Sequence, residues 1–118
     1  MNNFKKLIVW QKSRELVKDI YLITKKFPKE EIFGLTSQIR RATVSIALNI
    51  VEGSGRGTDK EFARFLDIAF GSALEVEAQI ILSSDLEFIT NEEYDILNLK
   101  IEEIQKMINK LTNSLRNK

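Results

Sequence analysis

Seven apolar residues, Tyr94, Leu97, Ile101, Ile104, Ile108, Leu111 and Leu115, recur at spacings of three and four without a break. That period is helical, and it lays one apolar stripe along a helix spanning about Asn91 to Arg116. The helix cannot bury the stripe alone, so the remaining residues must supply packing partners. With 118 residues in all, the chain has room for one domain, residues 1–118, with a single core. A folded monomer of this mass exposes roughly 6,600 Å². No segment alternates apolar and polar residues as a half-buried strand would.

The partners read as three more helices. Val9, Leu16, Ile20, Ile23 and Phe27 form one stripe on a helix from about Leu7 to Lys26, which Phe27-Pro28 ends, because a residue before proline avoids the helical region. A turn containing Glu30, Glu31 and Gly34 leads to a second helix, roughly Thr36 to Glu52. Gly53 marks its expected left-handed stop. Thr58-x-x-Glu61 and Thr90-x-x-Glu93 read as capping boxes that open the third helix, Asp59 to about Ser84, and the fourth. Four helices with short connections imply an all-α, antiparallel up-down-up-down four-helix bundle.

Several functions are excluded by composition. The chain has no cysteine and no histidine, so it offers no disulfide, thiol nucleophile, Cys/His zinc site or imidazole base. The loop Gly53–Gly57 lacks the Gly-Lys-Ser/Thr ending of a phosphate-binding loop. No carboxylate pair stands in a pattern that points to acid-base chemistry. We expect no catalytic residues, cofactor or metal, and no enzyme. No apolar run reaches the ~18 residues of a membrane span, and the expected location is the cytoplasm.

Apolar surface exceeds what one bundle needs. Fourteen of the 21 residues from Phe62 to Leu82 are apolar, against about nine for a core-facing helix. Helix two carries Val44, Leu48 and Val51 off its main stripe. A wide monomer core is one explanation. The other is self-association through helices two and three, with Val44, Leu48, Phe65, Phe70, Gly71 and Leu74 at the contact. Gly71 lies mid-helix, where glycine costs about 1 kcal/mol relative to alanine; close approach of another helix would offset that.

Gln38, Arg41, Ser45, Asn49 and Glu52 share one strip of helix two, and Ser72, Glu75 and Gln79 a similar strip of helix three. Facing each other, they would make a buried polar network that fixes register, with Arg41 paired to Glu52 or Glu75. A ligand or nucleic-acid site is the alternative.

Charge is unevenly spread despite a net +1. Residues 1–26 hold seven Lys/Arg against two Asp/Glu, residues 58–103 three against twelve, and residues 104–118 four against none. A basic surface built from Lys12, Arg14, Lys18, Lys25, Lys26, Arg56 and Arg116 would suit nucleic-acid phosphates. A solvated face that pairs with acidic segments accounts for the same pattern. Trp10, the single indole, is expected to anchor the start of helix one rather than stack on a base.

Beyond these readings, a set of local strings carries a family resemblance: Trp10-Gln11, Phe27-Pro28-x-Glu30, Gly34-Leu35, Gln38-Ile39-Arg40-Arg41-Ala42, Ser45-Ile46, Asn49-Ile50-x-Glu52-Gly53 and Gly71-Ser72-x-x-Glu75. Together they resemble the four-helix bundle proteins encoded in intervening sequences of bacterial 23S rRNA genes. Their relatives include the accessory variability protein of diversity-generating retroelements. The resemblance implies a bundle assembled as a homopentameric ring. It also implies an accessory role on RNA or DNA; a protein-interaction scaffold that binds a partner protein and no nucleic acid is the alternative.

Overall fold

The computed structural model describes residues 3–118. Four helices account for most of them: α1 (Ile8–Thr24), α2 (Leu35–Ser54), α3 (Asp59–Asp85) and α4 (Asn91–Arg116). Short 3-10 turns at Phe4–Lys6 and Lys29–Glu31 precede α1 and α2. Among the described residues there is no strand. Each helix packs on its neighbour in sequence, and α4 also packs on α1. The elongated body measures 45 × 23 × 20 Å.

The core is formed by the stripes read on the first and fourth helices and by matching faces of the second and third. Leu16 and Ile20 of α1, Ile39, Ile46 and Ile50 of α2, Leu66, Val76 and Ile80 of α3, and Ile101, Ile104 and Ile108 of α4 are almost wholly buried. Small residues Ala42, Ala69 and Ala73 lie among them. Most buried hydroxyls satisfy themselves within their own helix: those of Ser13, Thr24, Thr43, Ser83 and Thr112 each donate to the carbonyl four residues back. Trp10 is half-buried against the core and meets Phe4 edge-on, ring centroids 5.1 Å apart, so it anchors the start of α1.

Helix ends depart from the sequence reading in three places. Gly53 does not stop α2 in a left-handed turn: the helix continues to Ser54, and Gly55, at φ −86°, closes it. The reason is contact. Gly53 is buried, and a Cβ placed on it would lie 2.8 Å from Phe65 Cβ and 2.9 Å from Phe62 Cδ1, so its missing side chain is what lets α2 and α3 approach. The left-handed residue is instead Glu87, at φ 62°, after α3. Thr58 caps α3 by accepting from the Glu61 amide at 3.1 Å, but among the described residues only Thr90 and Glu93 complete a reciprocal box, at 3.1 and 2.8 Å.

Candidate functional site

The polar strips meet, but as a short cluster rather than a buried layer. Ser45 Oγ and Ser72 Oγ lie 2.9 Å apart, and Asn49 Nδ2 donates to the Ser45 carbonyl at 2.8 Å and to its hydroxyl at 3.1 Å. These three side chains are half-buried between α2 and α3. Gln38, Arg41, Glu52 and Glu75 lie exposed along the outer edge. The expected Arg41 pair does not form; Glu52 instead accepts from Arg56, one turn along the chain, at 2.6 Å. Arg41 and Glu52 stand eleven residues apart on one helix, about 16 Å along its axis, whereas Arg56 lies one turn from Glu52 and reaches it. Gln79 is buried with Oε1 unpartnered among the described residues.

Part of the apolar surplus is on the surface. Leu48 is 58% exposed, and Ile68, Leu74, Ile81 and Leu82 are also exposed. The six residues read as one contact surface divide. Asp67, Phe70, Leu74 and Glu77 share the side of α3 that faces α4, where Asp67 binds Arg116 and Glu77 binds Gln105. Phe70 is correspondingly packed against the chain's own core. Leu48 of α2 is exposed, while Val44 is half-buried one turn after Arg40, which bonds Thr24 of α1; Phe65 of α3 is half-buried, and the Arg56 guanidinium sits 4.8 Å from its ring centroid. Gly71 is exposed, and a Cβ there would meet nothing within 4 Å. Among the described residues no other helix approaches it; the close-approach glycine is Gly53.

Sequence reasoning missed a pair of exposed apolar residues set among the charged residues Asp19, Lys26, Glu93 and Lys100. Leu22 of α1 and Ile96 of α4, 54% and 55% exposed, line an open cleft of about 370 Å³ between these helices. Both residues fall outside the stripes, and the unremarkable apolar content of α4 gave no signal. Since α1 contacts α2 and α4 while α3 contacts the same two helices, the α1–α4 cleft lies across the bundle from the α2–α3 face.

The seven candidate cations also divide. Lys12 pairs with Glu103 at 3.5 Å, Lys26 with Glu93, Arg56 with Glu52 at 2.6 Å, and Arg116 with Asp67 at 2.5 and 3.1 Å. Arg14, Lys18 and Lys25 are exposed and unpaired among the described residues; their spacing of four and seven puts them on one outward stripe of α1. Much of the charge asymmetry is therefore matched within the chain. The acidic segment meets the basic ends through Lys26–Glu93, Arg116–Asp67 and Lys118–Asp59. Lys100, the lysine of that segment on α4, sits between Glu15 at 3.2 Å and Asp19 at 2.5 Å on α1.

Ionisation follows this pairing. The hydrogen bond to Asp19 holds the Lys100 ammonium above the usual lysine range, against the opposing effect of burial. The Lys100 hydrogen bond lowers Glu15. For Glu93, burial pushes the carboxyl up, but bonds from Lys26 and Thr90 together outweigh it and lower the group. The bond to Asp67 raises Arg116. Among the described residues no three carboxylates come together to hold a metal ion, and no helix is long and apolar enough to cross a membrane.

Similarity to known proteins agrees with this architecture. A crystal structure at 1.70 Å of a protein of unknown function from the S23 ribosomal protein family of Bacteroides thetaiotaomicron VPI-5482 superposes with a TM-score of 0.81. It is 30% identical, and the match covers 90% of this chain and 96% of that one. No curated protein matches the chain. The 23S rRNA-intervening sequence protein family matches residues 5–110. With a four-helix fold, a related crystal structure and a match over most of its length, the chain belongs to the 23S rRNA-intervening sequence protein family.

Proposed function

We propose that this protein is a non-enzymatic, cytoplasmic accessory bundle that works as a closed ring of identical subunits and holds RNA or DNA through phosphate contacts. The observation that carries the nucleic-acid reading is the outward stripe Arg14, Lys18 and Lys25, which has no carboxylate partner among the described residues. Phosphate contacts need mobile, hydrated cations and carry little base specificity. Closure of the ring would repeat the stripe on every subunit and add weak contacts by multivalency.

Two features support the ring. Cyclic assemblies above the dimer use two different complementary faces on each subunit, and the bundle presents apolar side chains on two faces lying across from each other: Leu48 and Ile68 on one, Leu22 and Ile96 on the other. The chain also exposes 7350 Å², more than the roughly 6,600 Å² expected for a compact monomer of its mass. The resemblance in sequence supports five as the subunit number. An up-down-up-down course is supported by the pairs across helices: Lys12 meets Glu103 while Lys26 meets Glu93, and Gln105 meets Glu77 while Arg116 meets Asp67.

A titration with single- and double-stranded RNA and DNA tests the reading. Binding should be strongest at low salt and weaken steeply as salt rises. Replacing Arg14, Lys18 and Lys25 together with Glu should abolish it with the oligomer intact. The internal pairing of Lys12, Lys26, Arg56 and Arg116 favours a second reading, a scaffold for a partner protein. Absence of binding even at low salt would decide for the scaffold.

A further inference from the structure

A cleft of about 430 Å³ opens at the α1–α2 corner, where Phe27-Pro28 turns the chain. Lys25, Lys29 and Arg40 line it, together with Thr24, Thr36 and apolar Ile32. None of its lining residues is acidic. Glu31, in the adjoining turn, is already engaged by the Leu35 amide at 3.2 Å, and Glu30 is exposed in the same turn.

Arg40 is held in place rather than free. Its Nε donates to Thr24 Oγ1 at 2.8 Å, and its guanidinium lies 4.8 Å from the centroid of the Tyr21 ring. Thr24 is fixed in turn by donating to the Ile20 carbonyl at 2.7 Å. The two terminal nitrogens of this half-buried arginine have no partner among the described residues. A planar, pre-positioned guanidinium with both ends free matches two oxygens of a phosphoryl group.

Thr36 supplies an independent observation. It is 3% exposed, and its hydroxyl has no hydrogen-bond partner among the described residues. The other buried threonines, Thr24, Thr43 and Thr112, bond to the carbonyl four residues back. Thr36 is the second residue of α2, so no helical carbonyl lies one turn behind it. An orphan buried hydroxyl is costly unless something bonds to it.

We propose that this corner is a binding site for a phosphate monoester, with Arg40 gripping the phosphoryl oxygens, Lys25 and Lys29 neutralising the charge, and Thr36 donating a hydrogen bond. The site goes beyond the phosphate contacts proposed above: it recognises one terminal phosphate group, and only Lys25 belongs to both surfaces. The monoester has two possible sources, a free nucleotide or the end of an RNA strand.

Amide NMR and calorimetric titrations of the full chain, at constant ionic strength, test it with inorganic phosphate, adenosine 5′-monophosphate, and a short RNA with or without a 5′-phosphate. Phosphate and the nucleotide should give saturable shifts at Thr36, Ser37 and Arg40. Arg40→Gln and Thr36→Val should each lower affinity about tenfold, the scale of one hydrogen bond to a charged group. Thr36→Val should melt no lower than the parent, which separates lost binding from lost folding. Exposed Lys29→Gln offers the same reading should Arg40→Gln fail to fold. Tighter binding of the 5′-phosphorylated strand, lost in Thr36→Val, would assign the site to RNA ends; nucleotide binding without that preference would assign it to free esters. No saturable binding of phosphate or nucleotide, or binding that Thr36→Val and Lys29→Gln leave unchanged, overturns the site. Arg14→Glu combined with Lys18→Glu should leave phosphate binding in place, so this site and the nucleic-acid stripe fail separately.

Discussion

Replacing Gly53 with alanine isolates the closest approach of α2 and α3. The new Cβ would lie 2.8 Å from Phe65 Cβ, 2.9 Å from Phe62 Cδ1 and 3.2 Å from the Phe62 carbonyl oxygen. Carbon atoms sit most favourably about 3.5 to 4.0 Å apart. Phe65 Cβ is fixed to its backbone, so rotamer changes cannot relieve the overlap and α3 has to move. Overpacking of this kind costs about 1 to 3 kcal/mol, and three simultaneous clashes place Gly53→Ala near the upper end. Alanine returns about 1 kcal/mol as the better helix former. The expected loss is therefore about 2 kcal/mol, near 8 °C in melting temperature for a domain of this size. Gly71→Ala is the matched control. Its Cβ meets nothing within 4 Å, so in the isolated subunit it should gain about 1 kcal/mol. Urea unfolding of both variants at high dilution measures the difference. A Gly53→Ala protein as stable as its parent would refute the claim that the missing side chain sets the helix spacing.

Thr90→Ala removes the only complete capping box among the described residues and should cost about 1 kcal/mol, read from chemical denaturation. Acid should also destabilise. Glu93 and Glu15 have lowered carboxyl values in the fold, so their contribution is present above the ordinary glutamate range and fades as pH falls through and below it. Lys100 is raised, so its contribution holds below the ordinary lysine range and is lost as pH rises through the raised value. With no histidine or cysteine in the chain, the melting temperature should stay nearly level from about pH 6 to 9; a sharp transition inside that window would show that another group governs stability.

The bundle was legible because α4's stripe and the proline, glycine and threonine signals are local. The core residues Leu16, Ile20, Ile101 and Ile104 all came from periodicity, and all are buried. Gly53 was misread because a C-terminal glycine has two uses, a left-handed turn or close packing, and only Phe62 and Phe65 across the interface decide between them. The Arg41 pairing failed for a related reason. Periodicity assigns a face but not a neighbour: Arg41 and Glu52 share a strip yet stand eleven residues apart, and Arg56 is the arginine one turn from Glu52. Charge blocks suggested a basic surface, yet sequence spacing could not reveal that Lys26 would find Glu93 or that Arg116 would find Asp67. The cleft at Arg40 and Thr36 was invisible because it joins three segments and contains no recognisable motif.

The central proposal is that the exposed α2–α3 face is covered by another copy of the chain. Light scattering coupled to size exclusion at micromolar concentration tests it most directly, with Leu48→Asp and Ile68→Asp measured beside the parent. Both side chains are exposed on the subunit, at 58% and 45%, so the substitutions should leave its fold and far-ultraviolet spectrum unchanged. The parent should run as a closed oligomer of about five 13.6 kDa chains, and the Asp variants should fall toward the monomer, because burying an unpaired carboxylate opposes association. A parent that elutes as a single 13.6 kDa chain, or Asp variants that keep the full oligomer mass, would contradict the account.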